Sequence, residues 1–300
     1  MNGISVKNLS VTFSLPSGPV EAVRDVSLTV PPGTITGLVG ESGCGKSVLG
    51  MALLGLLPPY AQVTGTMELG GTPLPRRELL GRHIGLVPQS PSQSLNPARR
   101  VRAHLLEALL PLNLPRREAE GRAADLLKEF GFPEPGPILR AYPHQLSGGM
   151  QQRVLCALGA ACSPEWVVAD EPTKGLDRPL RDQVAGQLAL LHRRGASLLL
   201  ITHDLELAAR VCGNIAVMYR GQVMEWGPET LNHPAHPYTR SLLAALPQNG
   251  FQAPELGMEE PGAGCPFCSR CPQRLTACET ALPPEVPAPM GQKVRCFRYG

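Results

Sequence analysis

The chain lacks a surplus of either charge. Its 28 Lys and Arg meet 25 Asp and Glu, a net of +3 over 300 residues. That balance leaves no electrostatic footprint for nucleic acid and no polybasic membrane anchor. A long apolar run is missing too. Met1 to Val11 mixes polar and apolar residues, so no secretory leader is read there. The most apolar stretch near the front, Val48 to Leu57, falls short of the roughly 20 residues that cross a bilayer. The expectation is a cytosolic chain, long enough for one large domain or two ordinary ones. Cysteine is scarce over most of the length, with only Cys44, Cys156, Cys162 and Cys212 before residue 265. Five more then crowd the tail: Cys265, Cys268, Cys271, Cys278 and Cys296. Cytosolic thiols are mostly reduced, so this cluster reads first as metal ligands and only second as disulfides.

What is present begins with "ITGLVGESGCGKSVLGMALLGLL" at residues 35–57. Ile35 to Val39 reads as a buried strand, Gly40 to Ser47 matches G-x-x-x-x-G-K-S, and Val48 to Leu57 reads as a helix. Strand, glycine loop and helix in that order form a phosphate cradle. Gly40, Gly43 and Gly45 let the backbone turn so that amides, including that of Cys44, face phosphate oxygens, and the helix N-terminus adds partial positive charge. Lys46 would reach the β- and γ-phosphates and Ser47 would ligate Mg²⁺. The alternative is a glycine turn before a core helix. Cys44, beside amides that favour an anion, is expected to titrate below the ordinary thiol value and to be open to alkylation.

Two further strands end in polar residues. "EWVVADEPTKGLD" at 165–177 places Asp170 and Glu171 after an apolar strand. Asp170 can hold Mg²⁺ through water, and Glu171 can orient and deprotonate a water. Adjacent residues of a strand point opposite ways, so chain divergence at Pro172 must turn Glu171 toward the nucleotide. The alternative is an acidic turn. "SLLLITHDLELAAR" at 197–210 ends its strand at Thr202-His203-Asp204, which puts His203 on the same carboxyl edge, where sheet ligands bind.

"LSGGMQQR" at 146–153 makes a second anion-binding turn before an amphipathic helix. One nucleotide does not need both. Together with GESGCGKS, WVVADE, Gln89 in "LVPQS" and His203, the chain resembles the ATPase subunit of ABC transporters over residues 4–247. The resemblance implies an α/β fold: a P-loop NTPase core with an antiparallel β subdomain, a helical signature subdomain at about 90–158, and a Cys-rich C-terminal extension. It implies an ATP-binding domain over 1–230 and the extension over 231–300. It implies head-to-tail pairing, in which Ser147, Gly148 and Gly149 of one subunit close over the nucleotide of another. By the same resemblance Gln89 senses Mg²⁺ and attacking water, Asp177 communicates across the interface, and Phe13 stacks on adenine. Independently of the resemblance, Ala119, Ala123, Leu126, Leu127 and Phe130 fall on one helical face, and "NIAVMYRGQVMEWG" reads as a hairpin turned at Arg220-Gly221.

"HPAHPYTRSLLAALP" at 233–247 and "QSPSQSLNP" at 89–97 are similar to segments of the oligopeptide, dipeptide and nickel importer ATPases. That group implies a [4Fe–4S] site at Cys265, Cys271, Cys278 and Cys296. This chain departs from it in an extra Cys268 and in Gln292, where the group often has His. Lys174, where many importers carry Thr, leans toward metal or metallophore import. The rival to iron–sulfur is zinc on Cys265, Cys268, Cys271 and Cys278, whose C-x2-C spacings suit tetrahedral sites. Proline and glycine around the thiols imply a tail with little core of its own. Its distance in sequence from the phosphate loop implies a structural or redox-sensing role. The function implied is ATP hydrolysis driving import of peptides or nickel chelates, at the cytoplasmic face of the membrane. The implied partners are a sister ATPase chain, two permease subunits and, indirectly, a solute-binding protein, with no nucleic acid. The alternatives are a soluble ABC-type ATPase acting on ribosomes or DNA, which usually needs two cassettes in one chain, and a P-loop phosphotransferase, which has no use for LSGGM.

Overall fold

The computed structural model describes residues 3–246 and 264–300. Residues 1–2, and residues 247–263 within the proposed extension, lie outside the described residues.

Strand alternation opens the chain. Ile4–Leu15 (β1) and Gly18–Val30 (β2) pair antiparallel, and Ile4, Val6 and Val11 are buried with Val23, Val26, Leu28 and Val30. A face packed on the core pins such a register, since a one-residue slip would expose it. The next strand, Ile35–Val39 (β3), belongs to a second sheet. Ala61–Leu69 (β4) and Thr72–Pro73 (β5) complete the first in the order β2-β1-β4-β5.

The second sheet adds Ile84–Val87 (β6), Trp166–Asp170 (β7), Ser197–Thr202 (β8), Asn214–Tyr219 (β9), Gln222–Gly227 (β10), Glu285–Ala288 (β11) and Gln292–Arg295 (β12). Its order is β11-β12-β10-β9-β3-β8-β7-β6. β6, β7, β8, β3 and β9 run parallel. β3, β7 and β8 are buried at every position, as parallel strands covered on both faces must be. The helix after β3 runs Lys46–Leu54, two residues ahead of the sequence reading, and stops where Gly55 turns left-handed. Between β6 and β7 the helices Val101–Ala108, Arg116–Glu129, Pro135–Arg140 and Gly148–Gly159 share a core. Leu105, Ala123, Leu126, Leu127 and Phe130 are buried in it, with Ala119 packed at its margin. Among the described residues no helix is long and apolar enough to cross a membrane.

The β9–β10 hairpin turns at Arg220 (φ 44°) and Gly221 (φ 84°), both positive as a tight two-residue hairpin demands. The tail, expected to have little core of its own, packs on the core of the sheet. β12 pairs antiparallel with β10 through Glu225 opposite Val294 and Trp226 opposite Lys293, and β11 pairs with β12. Phe267 is buried among Tyr219, Tyr238 and Met224. The described part of the tail does not fold on thiols alone: it extends the central sheet and shares the apolar cluster behind it.

Candidate functional site

The carboxyl edge of the parallel strands carries a cleft of about 200 Å³. Its walls include Ser42, Gly43, Gly45, Lys46, Ser47, Gln89, Glu171 and Lys174. The loop that forms its floor needs glycine where the backbone is crowded. A Cβ on Gly40 (φ 151°) would stand 2.1 Å from the Met218 carbonyl oxygen, and one on Gly45 (φ 104°) 2.2 Å from that of Ala22. Lys46 is buried. Its Nζ donates to the carbonyls of Gly40 at 2.9 Å and Glu41 at 2.8 Å. These two carbonyls hold the ammonium over the loop, where phosphate oxygens can take their place.

Ser47 Oγ donates to Asp170 Oδ1 at 2.8 Å, linking the loop to the end of β7. Burial raises the Asp170 carboxyl above its ordinary value, opposed by the Ser47 hydroxyl and by Lys46 and Lys174. Ser47, Asp170 and Gln89 offer oxygen donors, the ligands that a hard dication takes, and Ser47 and Gln89 share the cleft, so the residues fit Mg²⁺. When bound with a nucleotide, that ion supplies charge neutralisation at the phosphates.

Glu171 turns into the cleft for a reason the sequence did not expose. The strand ends at Asp170, and Glu171 itself adopts φ 45°. The divergence therefore falls at Glu171 and not at Pro172. The left-handed backbone costs energy in a non-glycine residue. It is held by the Glu171 N–H donating to Ile201 O at 2.8 Å and by Lys174 N–H donating to Glu171 O at 3.1 Å. Glu171 Oε2 lies 2.6 Å from Nδ1 of His203, which follows β8 directly. A carboxylate so oriented, beside the phosphate loop, is placed to take a proton from water, with His203 fixing its direction.

The other expected residues separate into groups. Ser147 caps the helix Gly148–Gly159, accepting from Met150 N–H at 3.3 Å. Ser147 and Gly148 are exposed, Gly149 is buried against Leu180, and none of the three lines the cleft. Asp177 caps the helix Arg178–Arg193 through Leu180 N–H at 3.1 Å. Phe13 lies off the cleft, 6.0 Å from the Tyr60 ring. Cys44 corrects its expectation: it is buried, and burial raises its thiol pKa against the pull of Lys46, whose Nζ is 3.7 Å from Sγ. Loss of hydration outweighs the nearby positive charge. Lys174, in the sequence only a hint of cargo, lines the cleft.

The tail thiols come together. Cys265, Cys268, Cys271, Cys278 and Cys296 all line one small cavity of about 10 Å³ beside His236 and Phe267. None of the nine cysteines forms a disulfide. Burial, with the neighbouring thiols adding to it, pushes Cys265 up to about 12 and raises Cys271 as well. Cys268, set apart by its spacing, shares the cavity with the four proposed ligands. Thiols lining one cavity offer the donor type that iron–sulfur clusters and zinc take. Among the described residues, no three His, Cys, Asp or Glu are already set to hold a metal ion. Gln292 lies apart from the cavity lining and donates to His233 O at 3.2 Å.

The family model for ABC transporters matches residues 23–174, and that for the oligopeptide/dipeptide transporter C-terminal region matches 224–278. The chain is 38% identical to the dipeptide transport ATP-binding protein DppD of Bacillus subtilis, over 98% of this chain and 94% of that protein. It is 37% identical to the oligopeptide transport ATP-binding protein OppD of Salmonella typhimurium, over 98% and 93%. Among solved structures, the dimeric ATP-binding cassette MJ0796 in a post-hydrolysis state with ADP and phosphate superposes with a TM-score of 0.66. It is 26% identical and covers 75% of this chain and 98% of its own.

Glu171→Gln should lower steady-state ATP hydrolysis by about 10²–10⁴-fold, the usual weight of a general base. ATP binding, followed with a fluorescent analogue, should stay within a factor of about two, because the phosphate cradle is untouched. Cys44 should alkylate at least about tenfold more slowly in the native chain than in the unfolded one, and faster as pH rises, since the raised pKa keeps the thiol protonated at neutral pH. Mass spectrometry of the Cys44 peptide after timed iodoacetamide treatment measures this.

Proposed function

This chain belongs to the ABC transporter ATPases, and we propose that it is the energy-coupling subunit of a membrane importer for dipeptides or oligopeptides. The observation that carries the reading is the division of the two anion-binding turns. Gly40–Ser47 forms the cleft, whereas Ser147 and Gly148 stand exposed and outside it. A helix N-terminus capped by Ser147 and left open to solvent suits closure over the phosphates of another subunit. The dimeric solved relative supports that pairing. Within the chain, Lys46 and the loop glycines hold the phosphates. Ser47, Gln89 and Asp170 serve Mg²⁺. Glu171 is the base and His203 its orienting partner. Asp177 and Phe13 keep their proposed parts at the subunit interface and at adenine.

The relatives' names carry peptides, not nickel, and the cargo proposed is accordingly peptide. Action on ribosomes or DNA loses support beside those transport names. The proposed partners are a sister ATPase and two permease subunits at the cytoplasmic face of the membrane, with a solute-binding protein delivering cargo. The proposed division is an ATP-binding domain over 1–230, its helical part at about 90–158, and the extension over 231–300. Detergent extraction of the native assembly should bring two permeases with this chain, and peptide-loaded binding protein should stimulate its ATPase. Ser147→Arg should leave ATP binding to the isolated subunit within a factor of about two and cut hydrolysis by the assembly at least about tenfold. An equal loss of ATP binding in Ser147→Arg and Lys46→Ala would overturn the pairing.

The extension's thiols are proposed to hold one [4Fe–4S] cluster through Cys265, Cys271, Cys278 and Cys296. The cavity among them is about 10 Å³, about the room one water needs, so a four-iron cluster requires the thiols to spread. Anaerobic purification should yield brown protein with about four irons and matching sulfide. Colourless protein with one zinc, lost in Cys268→Ser and retained in Cys296→Ser, would assign the site to zinc.

A further inference from the structure

Glu41, the second residue of the phosphate loop, is gripped by the C-terminal extension at two points. Its backbone N–H donates to Tyr238 Oη at 3.1 Å. Its carboxylate accepts from both terminal nitrogens of Arg270, at 3.1 and 3.3 Å. A third bond runs into the site itself, since the Glu41 carbonyl accepts Lys46 Nζ at 2.8 Å. Arg270 stands between Cys268 and Cys271, and its guanidinium lies 5.7 Å from the ring centres of both Tyr219 and Phe267. It also donates to Tyr219 Oη at 3.3 Å. Tyr238 is fully buried, its ring 4.4 Å from that of Tyr219 and 5.3 Å from that of Phe267. Both grips start from this cluster of three aromatic rings.

We propose that Arg270 and Tyr238 are positioning residues for ATP binding, acting through Glu41. The physical need comes from the loop. Gly40 and Gly43 bracket Glu41 at φ 151° and 80°, and glycine loses more conformational freedom on ordering than any other residue. A loop with that composition must be held from outside if its amides are to meet phosphate already aimed. Arg270 suits the task because a planar guanidinium grips a carboxylate at two points and fixes its direction, which a lysine cannot do. The side chain of Arg270 is only 9% exposed, while that of Glu41 is 38% exposed. Water screens the pair's attraction on the Glu41 side, so the contribution lies in geometry more than in raw charge. Glu171 and His203 are bonded to neither residue of the grip. Releasing it therefore weakens ATP binding and leaves the chemical step largely alone, a split between KM and kcat.

This inference rests on the Gly40–Ser47 loop being the ATP site, and the test separates the two. Fluorescent-ATP titration and steady-state hydrolysis are run on the full chain and on Arg270→Ala, Arg270→Lys, Glu41→Ala, Tyr238→Phe and Lys46→Ala. Arg270→Ala and Glu41→Ala should each raise the ATP Kd and KM about fivefold, the upper range for a partly exposed ion pair. Their kcat should stay within a factor of about two, and the double variant should bind no worse than the weaker single, because both remove one contact. Arg270→Lys should recover part of the loss, and Tyr238→Phe should raise Kd by about threefold, a neutral hydrogen bond's share. If Arg270→Ala does not fold, Glu41→Ala and Tyr238→Phe decide. Unchanged ATP affinity in those two, or additive losses in the double variant, overturns the proposal. If Lys46→Ala loses ATP while Glu41→Ala keeps it, the grip alone fails. If Lys46→Ala binds ATP like the parent, the site itself has been misplaced.

Discussion

Parallel pairing of buried strands is the constraint on which this molecule turns. A backbone group taken out of water must find a partner, and β3, β7 and β8 meet that demand in one register. Val39 lies beside Thr202, and Asp170 beside Ile201. Because the strands run the same way, their ends arrive together. The phosphate loop leaves β3, the acidic pair closes β7, and His203 follows β8. Residues more than 120 positions apart are thereby within a hydrogen bond of one another, as Ser47 and Asp170 are at 2.8 Å.

The tail extends the same logic outward. Glu225 on β10 is buried, and its carboxylate accepts from Ala235 N–H at 2.6 Å, His236 N–H at 2.9 Å and Thr239 Oγ at 2.6 Å. Burial raises its pKa, and those three donors oppose the shift. His236 in turn caps the helix Pro237–Ala244, accepting from Tyr238 N–H. The His-Pro-Tyr-Thr segment is thus a structural knot. It ties the extension to the sheet edge and delivers the Tyr238 hydroxyl to Glu41. Through Arg270 the cysteine-bearing segment and the phosphate loop are joined by one ion pair, although 229 residues separate its two partners.

The candidate site was legible wherever spacing carries geometry. G-x-x-x-x-G-K-S after an apolar run implies strand, turn and helix, and Lys46 and Ser47 stand where that order puts them. Asp170 and His203 were legible as polar ends of apolar strands. Glu171 was legible as a candidate, but its approach was not. A left-handed residue outside glycine has no strong local signal, and the Ile201 carbonyl that holds it comes from a strand 30 residues on. The raised pKa of Cys44 is not legible in sequence, because proximity to amides is visible there and burial is not.

Sequence alone determined the phosphate loop, the acidic strand end, the signature turn and the family they compose, because each depends on neighbours within a few residues. Tertiary structure alone decided three things. It paired β12 with β10, seating the tail on the sheet's own apolar cluster. It brought Cys268 to the same cavity as the four other thiols, so spacing could not choose among them. It set Arg270 against Glu41. These are contacts between distant segments, fixed by where the sheet edge and its apolar cluster leave room, and no local pattern encodes them.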